Sequence, residues 1–330
     1  MDSIFSVGLQ NFLSPPVLCF ILGLLAGFSK SDLYVPDQLT KGLSMFLMFS
    51  IGLHGGMGAS SAGWSFQLLI SMVTAILLSF TVPFICQYFL RITTNHSNEK
   101  IASISAHYGS ISIVTFATAM ELLKLSSISF ESLLIPMAAL METPAILAGF
   151  FLIHKAIKSK KTMEKNSAVL HEVFLNGAIF LLLGGFFIGC VASTKGLQDI
   201  KPFFFSPFKG VLCFFLLELG LNASRNFIGF KKLGWSLTLF GIYMPLIGAT
   251  FGALSGAIIG LSLGGTILLA VLTASASYIA VPAAMKAAFP HIDNSLAVSL
   301  SLGITFPFNI FIGIPLYINL ISHFYSVFIS

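Results

Sequence analysis

The sequence predicts an all-α polytopic membrane protein of ten transmembrane helices, folded as a 5+5 inverted repeat with interrupted fourth and ninth spans. Three observations carry this expectation. Of 330 residues, 56% are hydrophobic and only 9% charged, with a mean hydropathy of +0.95, whereas soluble domains carry about 25% charged residues. Apolar runs recur at about the 20 residues that a ~30 Å hydrocarbon core requires of a helix. Motifs of the first half return, in the same order, in the second. The short alternating strands of a membrane β-barrel are missing from the pattern.

Polar breaks and Gly/Pro punctuation place the spans at about 14–29, 38–57, 66–90, 101–123, 131–155, 170–193, 206–224, 235–259, 264–288 and 294–322. The longest polar stretch, Lys155–Ser167 (KAIKSKKTMEKNS), separates a first repeat, 1–155, from a second, 169–330, with 156–168 as a cytoplasmic linker.

Laid over each other at an offset of about 165 residues, the halves match in three places. GSISIVTFATAM (Gly109–Met120) falls on ASASYIAVPAAM (Ala274–Met285). FSIGLHGGM (Phe49–Met57) falls on LELGLNASR (Leu217–Arg225), and METPA (Met141–Ala145) near ITFPF (Ile304–Phe308). Five spans per repeat is an odd number, so the second copy enters the membrane from the opposite side. Inverted repeats with broken helices at the midplane are a transporter architecture.

Loop charges set the orientation, because Lys and Arg are retained in the cytoplasm. One face holds Lys30, Lys41, Arg91, Lys100, Lys155, Lys158, Lys160, Lys161, Lys165, Arg225, Lys231, Lys232 and Lys286. The other holds Lys124, Lys195, Lys201 and Lys209. Both termini are therefore expected outside and the linker in the cytoplasm. The net charge of +5 reflects this loop bias rather than a nucleic-acid partner. No cleavable signal peptide is evident before the first span, and Cys19, Cys86, Cys190 and Cys213 read as buried thiols.

The matched segments hold the site candidates. Gly109, Ser110, Ser112 and Thr115 in the fourth span face Thr273, Ser275, Ser277 and Tyr278 in the ninth. Helices breaking near Gly109 and Pro282 would turn half-helix N-termini toward a small anion, and their freed carbonyls toward a cation. Small residues also serve close helix packing. Among intramembrane carboxylates, which are costly and usually functional, Glu218 and Glu142 are candidates for ion coupling. Glu121 and Glu172 lie near span ends, within reach of the interface. His107 is a candidate proton carrier, and His54 a weaker one. No HExxH, GxSxG, P-loop or paired-Cys pattern supports an enzyme, a resident cofactor or a metal centre.

SPPVLCFILGLLAGF, VPDQLTKGLSMFLMFSIGLHGGM, HYGSISIVTFATAM, LGLNASR, SASYIAVPAAMKAAFP and GITFPFNIFIGIPLY together resemble the sodium-dependent bicarbonate transporter family, known best from cyanobacterial symporters, over about Ser14 to Tyr317. The resemblance implies a core domain moving against a gate domain in a homo-oligomer, often a trimer. It implies bicarbonate bound at Gly109, Ser110, Ser112, Thr115, Ala274, Ser275 and Ser277. Sodium would lie close by, among Ser112, Thr115, Ser275, Ser277 and neighbouring carbonyls, with Tyr278, Glu218 and Glu142 as further coupling candidates.

The chain departs from the family at Tyr278, where the cyanobacterial symporters carry an Asp, and at Val281-Pro282-Ala283, where they carry Gly-Pro-Pro. A carboxylate that would favour sodium is thus missing from this motif. The expectation is a secondary active transporter in a bacterial-type plasma membrane, taking up bicarbonate with sodium. A proton-coupled organic anion carrier using Glu218, Glu142 or His107 is one alternative, and a non-transporting sensor another.

Overall fold

The computed structural model describes residues 13–62, 65–156, 177–192, 194–225, 233–278, 281–282, 284–285, 289, 291–292 and 294–328. Residues 157–168 of the expected linker, Glu172, Lys231, Lys232 and Lys286 lie outside them. The described residues form helices and connections with no strand, as a bilayer dictates, since a helix satisfies its own backbone polar groups. The chain is an integral membrane protein. Among the described residues, five helices are long and apolar enough to cross: Phe66–Thr93, Leu134–Ala156, Gly196–Arg225, Gly234–Ile258 and Ser295–Val327.

The elements run α1 (Pro15–Phe28), α2 (Asp37–Ala62), α3 (Phe66–Thr93), α4 (Asn98–Gly109), α5 (Ile113–Leu125), α6 (Leu134–Ala156), α7 (Gly177–Val191), α8 (Thr194–Phe204), α9 (Phe208–Arg225), α10 (Gly234–Ile258) and α11 (Leu263–Ala274). A last helical run, α12, extends from Ser295–Leu300 to Ile314–Phe328. Local chemistry sets the starts. The Pro15-Pro16 pair opens α1, where a missing N–H costs nothing. Ser65, Ser97, Ser112 and Ser262 cap α3, α4, α5 and α11, each accepting from the backbone N–H three residues on.

The fourth span, expected to be interrupted, is described as two helices, α4 and α5. Between the sixth and seventh lies α8, which its polar composition (TKGLQDIKPFF) concealed from a hydropathy reading. Its Leu197 is buried while Phe203 is exposed, and Phe204 stacks on Phe46 at 5.7 Å.

Two seams of glycine join helices from the two halves of the chain. Along α1 and α9, a Cβ at Gly23 would strike the Leu217 carbonyl, one at Gly27 the Ser224 side chain, and one at Gly220 the Phe20 carbonyl. Along α2 and α7, Gly56 meets the Phe186 carbonyl, Gly185 the Phe49 carbonyl and Gly189 the Leu53 carbonyl. Gly23 and Gly27, like Gly185 and Gly189, stand one helical turn apart, the small-residue spacing that lets membrane helices approach backbone to backbone.

The centre is made of α4, α5 and α11. All residues from Ile101 to Gly109, Ile113 to Met120 and Gly264 to Ala274 are buried. α3 and α6 pack on α4, and α10 packs on α11. Gly109 sits against Pro83 of α3, and Gly248 of α10 against Thr273 and Ala274. α3 turns Leu69, Val73, Leu77 and Phe80 outward, as lipid contact requires. Two π-helical turns, Ser301–Thr305 and Asn309–Gly313, interrupt α12 around Pro307, a distortion often found at functional sites.

Candidate functional site

α4 and α11 are near-copies. Each has 12 residues, starts on a Ser cap and ends on a Ser in extended conformation: Ser110 at φ −89°, ψ 157° and Ser275 at φ −87°, ψ 166°. Both therefore bring their carbonyl ends to the same central region. After Ser110, the chain stays extended through Ser112 (φ −106°, ψ 105°) and re-enters a helix at Ile113. After Ser275, Ala276 and Ser277 are non-helical, while Val281 and Pro282 are again helical. The second break is thus centred on Ser275–Tyr278 and not on Pro282. The ring of a proline in the first turn of a helix displaces no hydrogen bond, so Pro282 follows the break instead of making it.

Hydrogen bonds tie the two breaks together. The Ser112 N–H donates to Ser275 Oγ at 2.9 Å, and the Ser277 N–H donates to the His107 carbonyl at 2.7 Å. Ser275 Oγ passes its own proton to the Leu272 carbonyl at 2.7 Å. Ser112 Oγ accepts from the Thr115 N–H at 3.2 Å and from Thr115 Oγ1 at 2.9 Å, and donates to the Tyr278 hydroxyl at 3.0 Å. On α6, Glu142 Oε2 accepts from Ser110 Oγ at 2.7 Å, while the neighbouring Met141 carbonyl accepts from Ser79 Oγ. Every one of these side chains is buried, so leaving a partner unmade would cost about 1–3 kcal/mol.

A cavity of about 20 Å³ lies at this crossing. Ser112, Ser277, Tyr278 and Glu142 are its polar walls, and Met48 of α2 and Phe215 of α9 are among its apolar ones. That volume holds one or two water-sized species.

The structure brings together Ser110, Ser112, Thr115, Ser275, Ser277, Tyr278 and Glu142. It sets other candidates apart. Gly109 packs on Pro83, and the Ala274 carbonyl is taken by Asn309 Nδ2 at 2.8 Å. Thr273 Oγ1 bonds back to Leu269 and Ala270 of its own helix. Glu218, on α9, accepts from Asn222 and does not line the cavity, but its charge is felt at Tyr278. The His107 ring bonds the Ser103 carbonyl at 2.8 Å through Nδ1. His54 stacks edge-on against Phe205, with ring centroids 4.1 Å apart. Glu121 pairs with Lys124 and Lys209, each at 3.1 Å.

Sequence reasoning missed the supports contributed by α12. Tyr108 donates to Thr305, which donates to the Gly241 carbonyl at 2.9 Å. Tyr317 donates to Asn309 Oδ1 at 3.0 Å. An Asn inside an apolar span was the available signal.

No curated protein matches the chain. The family model of the Na+-dependent bicarbonate transporter superfamily does, over residues 15–322. The match spans nearly every described helix, the bonded crossing of Ser112 with Ser275 included, and the chain is a member of the Na+-dependent bicarbonate transporter superfamily.

Proposed function

We propose that this chain is a sodium-coupled bicarbonate importer working by alternating access, with its site where the Ser110–Ser112 and Ser275–Tyr278 breaks cross. The observation that carries the proposal is the cavity at that crossing, lined by Ser112, Ser277, Tyr278 and Glu142. The hydroxyls and the N-terminus of α5 suit a small oxyanion. The buried carboxylate gives sodium the negative charge that the family motif would otherwise supply at position 278. Without a cation, Glu142 would repel an anion in the same cavity, which gives the two ions a reason to bind together.

Ten spans in a 5+5 inverted repeat, divided at 156–168, are supported by the equal lengths and matching caps of α4 and α11. Contacts between loops support the topology as well. Gln67 meets the Ile259 carbonyl, and Glu131 meets Ser262, at ends expected outside. Arg225 meets the Leu33 carbonyl, and Ser103 meets Asn294, at ends expected in the cytoplasm.

Uptake of radiolabelled bicarbonate by a host lacking its own carriers, with and without sodium, tests the proposal. Sodium-stimulated uptake is expected. A well-expressed protein that takes up none removes the substrate, and uptake that follows pH but ignores sodium removes the coupling.

A further inference from the structure

The hydroxyls at the crossing can be assigned donor by donor, because each carries one proton and two lone pairs. Thr115 Oγ1 gives its proton to Ser112 Oγ, which also accepts from the Thr115 N–H. Both lone pairs of Ser112 are then occupied, and its single proton goes to the Tyr278 oxygen. The Tyr278 oxygen is an acceptor in this chain, so its own proton must point elsewhere. Among the described residues no acceptor takes it. The ring is held in place by an edge contact with Phe306, at 5.4 Å between centroids, and the side chain lines the cavity. Ser277 repeats the pattern: its Oγ accepts from the Val281 N–H at 3.2 Å, and its proton has no acceptor among the described residues. It lines the same cavity.

We infer that Tyr278 is an anion-binding residue whose hydroxyl, oriented by the relay Thr115 to Ser112 to Tyr278, donates a hydrogen bond to a bound oxyanion beside a second donor at Ser277. The inference rests on the anion-transport reading and assigns this position the opposite preference from a carboxylate. Two O–H donors turned into the cavity disfavour a cation there and suit a carboxylate-like oxygen, so the cation is left to the buried carboxylates, Glu142 in the cavity wall and Glu218 near Tyr278. An uncharged phenol recognises the anion without competing for sodium. The cavity of about 20 Å³ has room for one or two water-sized species, with Met48 of α2 and Phe215 of α9 in the same lining as Tyr278. Selection is then by donor placement, which favours small oxyanions such as bicarbonate and formate over larger carboxylates.

The test compares wild type, Tyr278→Phe and Ser277→Ala in full-length protein. Bicarbonate KM and the sodium concentration for half-maximal uptake are measured in cells. Thermal unfolding of purified protein is followed in sodium bicarbonate, sodium formate and sodium chloride of equal ionic strength. A hydrogen bond to a charged group is worth about 1.5–3 kcal/mol, so Tyr278→Phe should raise the bicarbonate KM roughly ten- to hundredfold. Its sodium half-saturation should stay put, and stabilisation by bicarbonate and formate should be lost. Ser277→Ala should raise the KM less, and it serves as the readout where Tyr278→Phe fails to fold. Wild-type bicarbonate KM in both variants, or a change confined to sodium half-saturation, overturns the assignment while leaving transport intact. If neither oxyanion stabilises wild type and wild type takes up no bicarbonate, the transport reading falls and Tyr278 with it.

Discussion

The backbone N–H of Ser112 donates to the side chain of Ser275 at 2.9 Å, joining two residues that lie in different halves of the chain and just beyond the ends of two matching helices. Extended backbone in the middle of a membrane protein leaves N–H groups without helical partners, and here a side chain from the other half supplies one.

Ser275→Ala removes that acceptor and leaves the Ser112 N–H buried alone. A loss of about 1–3 kcal/mol in stability is expected, read as a lower unfolding temperature in detergent together with reduced uptake. Ser275→Thr keeps the oxygen and should retain most of both. Equal unfolding temperatures for Ser275→Ala and wild type would show that the cross-bond contributes nothing.

Glu142→Gln keeps an acceptor for Ser110 Oγ but removes the charge. Sodium activation should weaken by about tenfold or more, the equivalent of about 1.4 kcal/mol, while the protein still folds. Glu142→Ala also strips Ser110 of its partner and should lose stability besides. Unaltered sodium dependence in a folded Glu142→Gln variant would exclude this carboxylate from coupling.

Adjacent glycines of α7 should respond in opposite ways. A Cβ at Gly184 meets nothing within 4 Å, whereas one at Gly185 comes within 2.7 Å of the Phe49 carbonyl oxygen. Gly184→Ala should be neutral or stabilising by about 0.5–1 kcal/mol. Gly185→Ala should destabilise by about 1–3 kcal/mol, because backbone must move. Thermal unfolding of the two single variants decides, and similar values would refute the tight seam.

A reporter active only in the cytoplasm should be silent at the C-terminus and active when inserted in 157–168. Labelling single cysteines from outside should reach Lys124→Cys and Lys209→Cys, and should miss Arg91→Cys. The reverse pattern would invert the proposed orientation.

What was readable beforehand depended on distance along the chain. The ends of α3, α6, α9 and α10 follow from apolar length and local punctuation. The matching of Gly109–Met120 with Ala274–Met285 points to Ser110 and Ser275 from sequence alone. Pro282 misled because a proline marks either the end of a helix or its first turn, and the decision is made by Ser275–Tyr278 upstream. Glu142 was a candidate by burial cost alone; that it meets Ser110, and that Glu218 meets Asn222, is set by how α6 and α9 are rotated, which local pattern does not encode. The seams were legible in principle. Gly23 with Gly27 and Gly185 with Gly189 have the spacing of close-packed helices, but the spacing does not name a partner.

Those partners have a consequence for biosynthesis. α1 closes on α9 and α2 on α7, so each seam needs one helix made early and one made late. The early pair lack these backbone partners until translation delivers their counterparts, although α2 already meets Ile135 of α6. Assembly is therefore post-insertional, and the two halves, expressed as separate polypeptides split within 157–168, should find each other and restore a working protein.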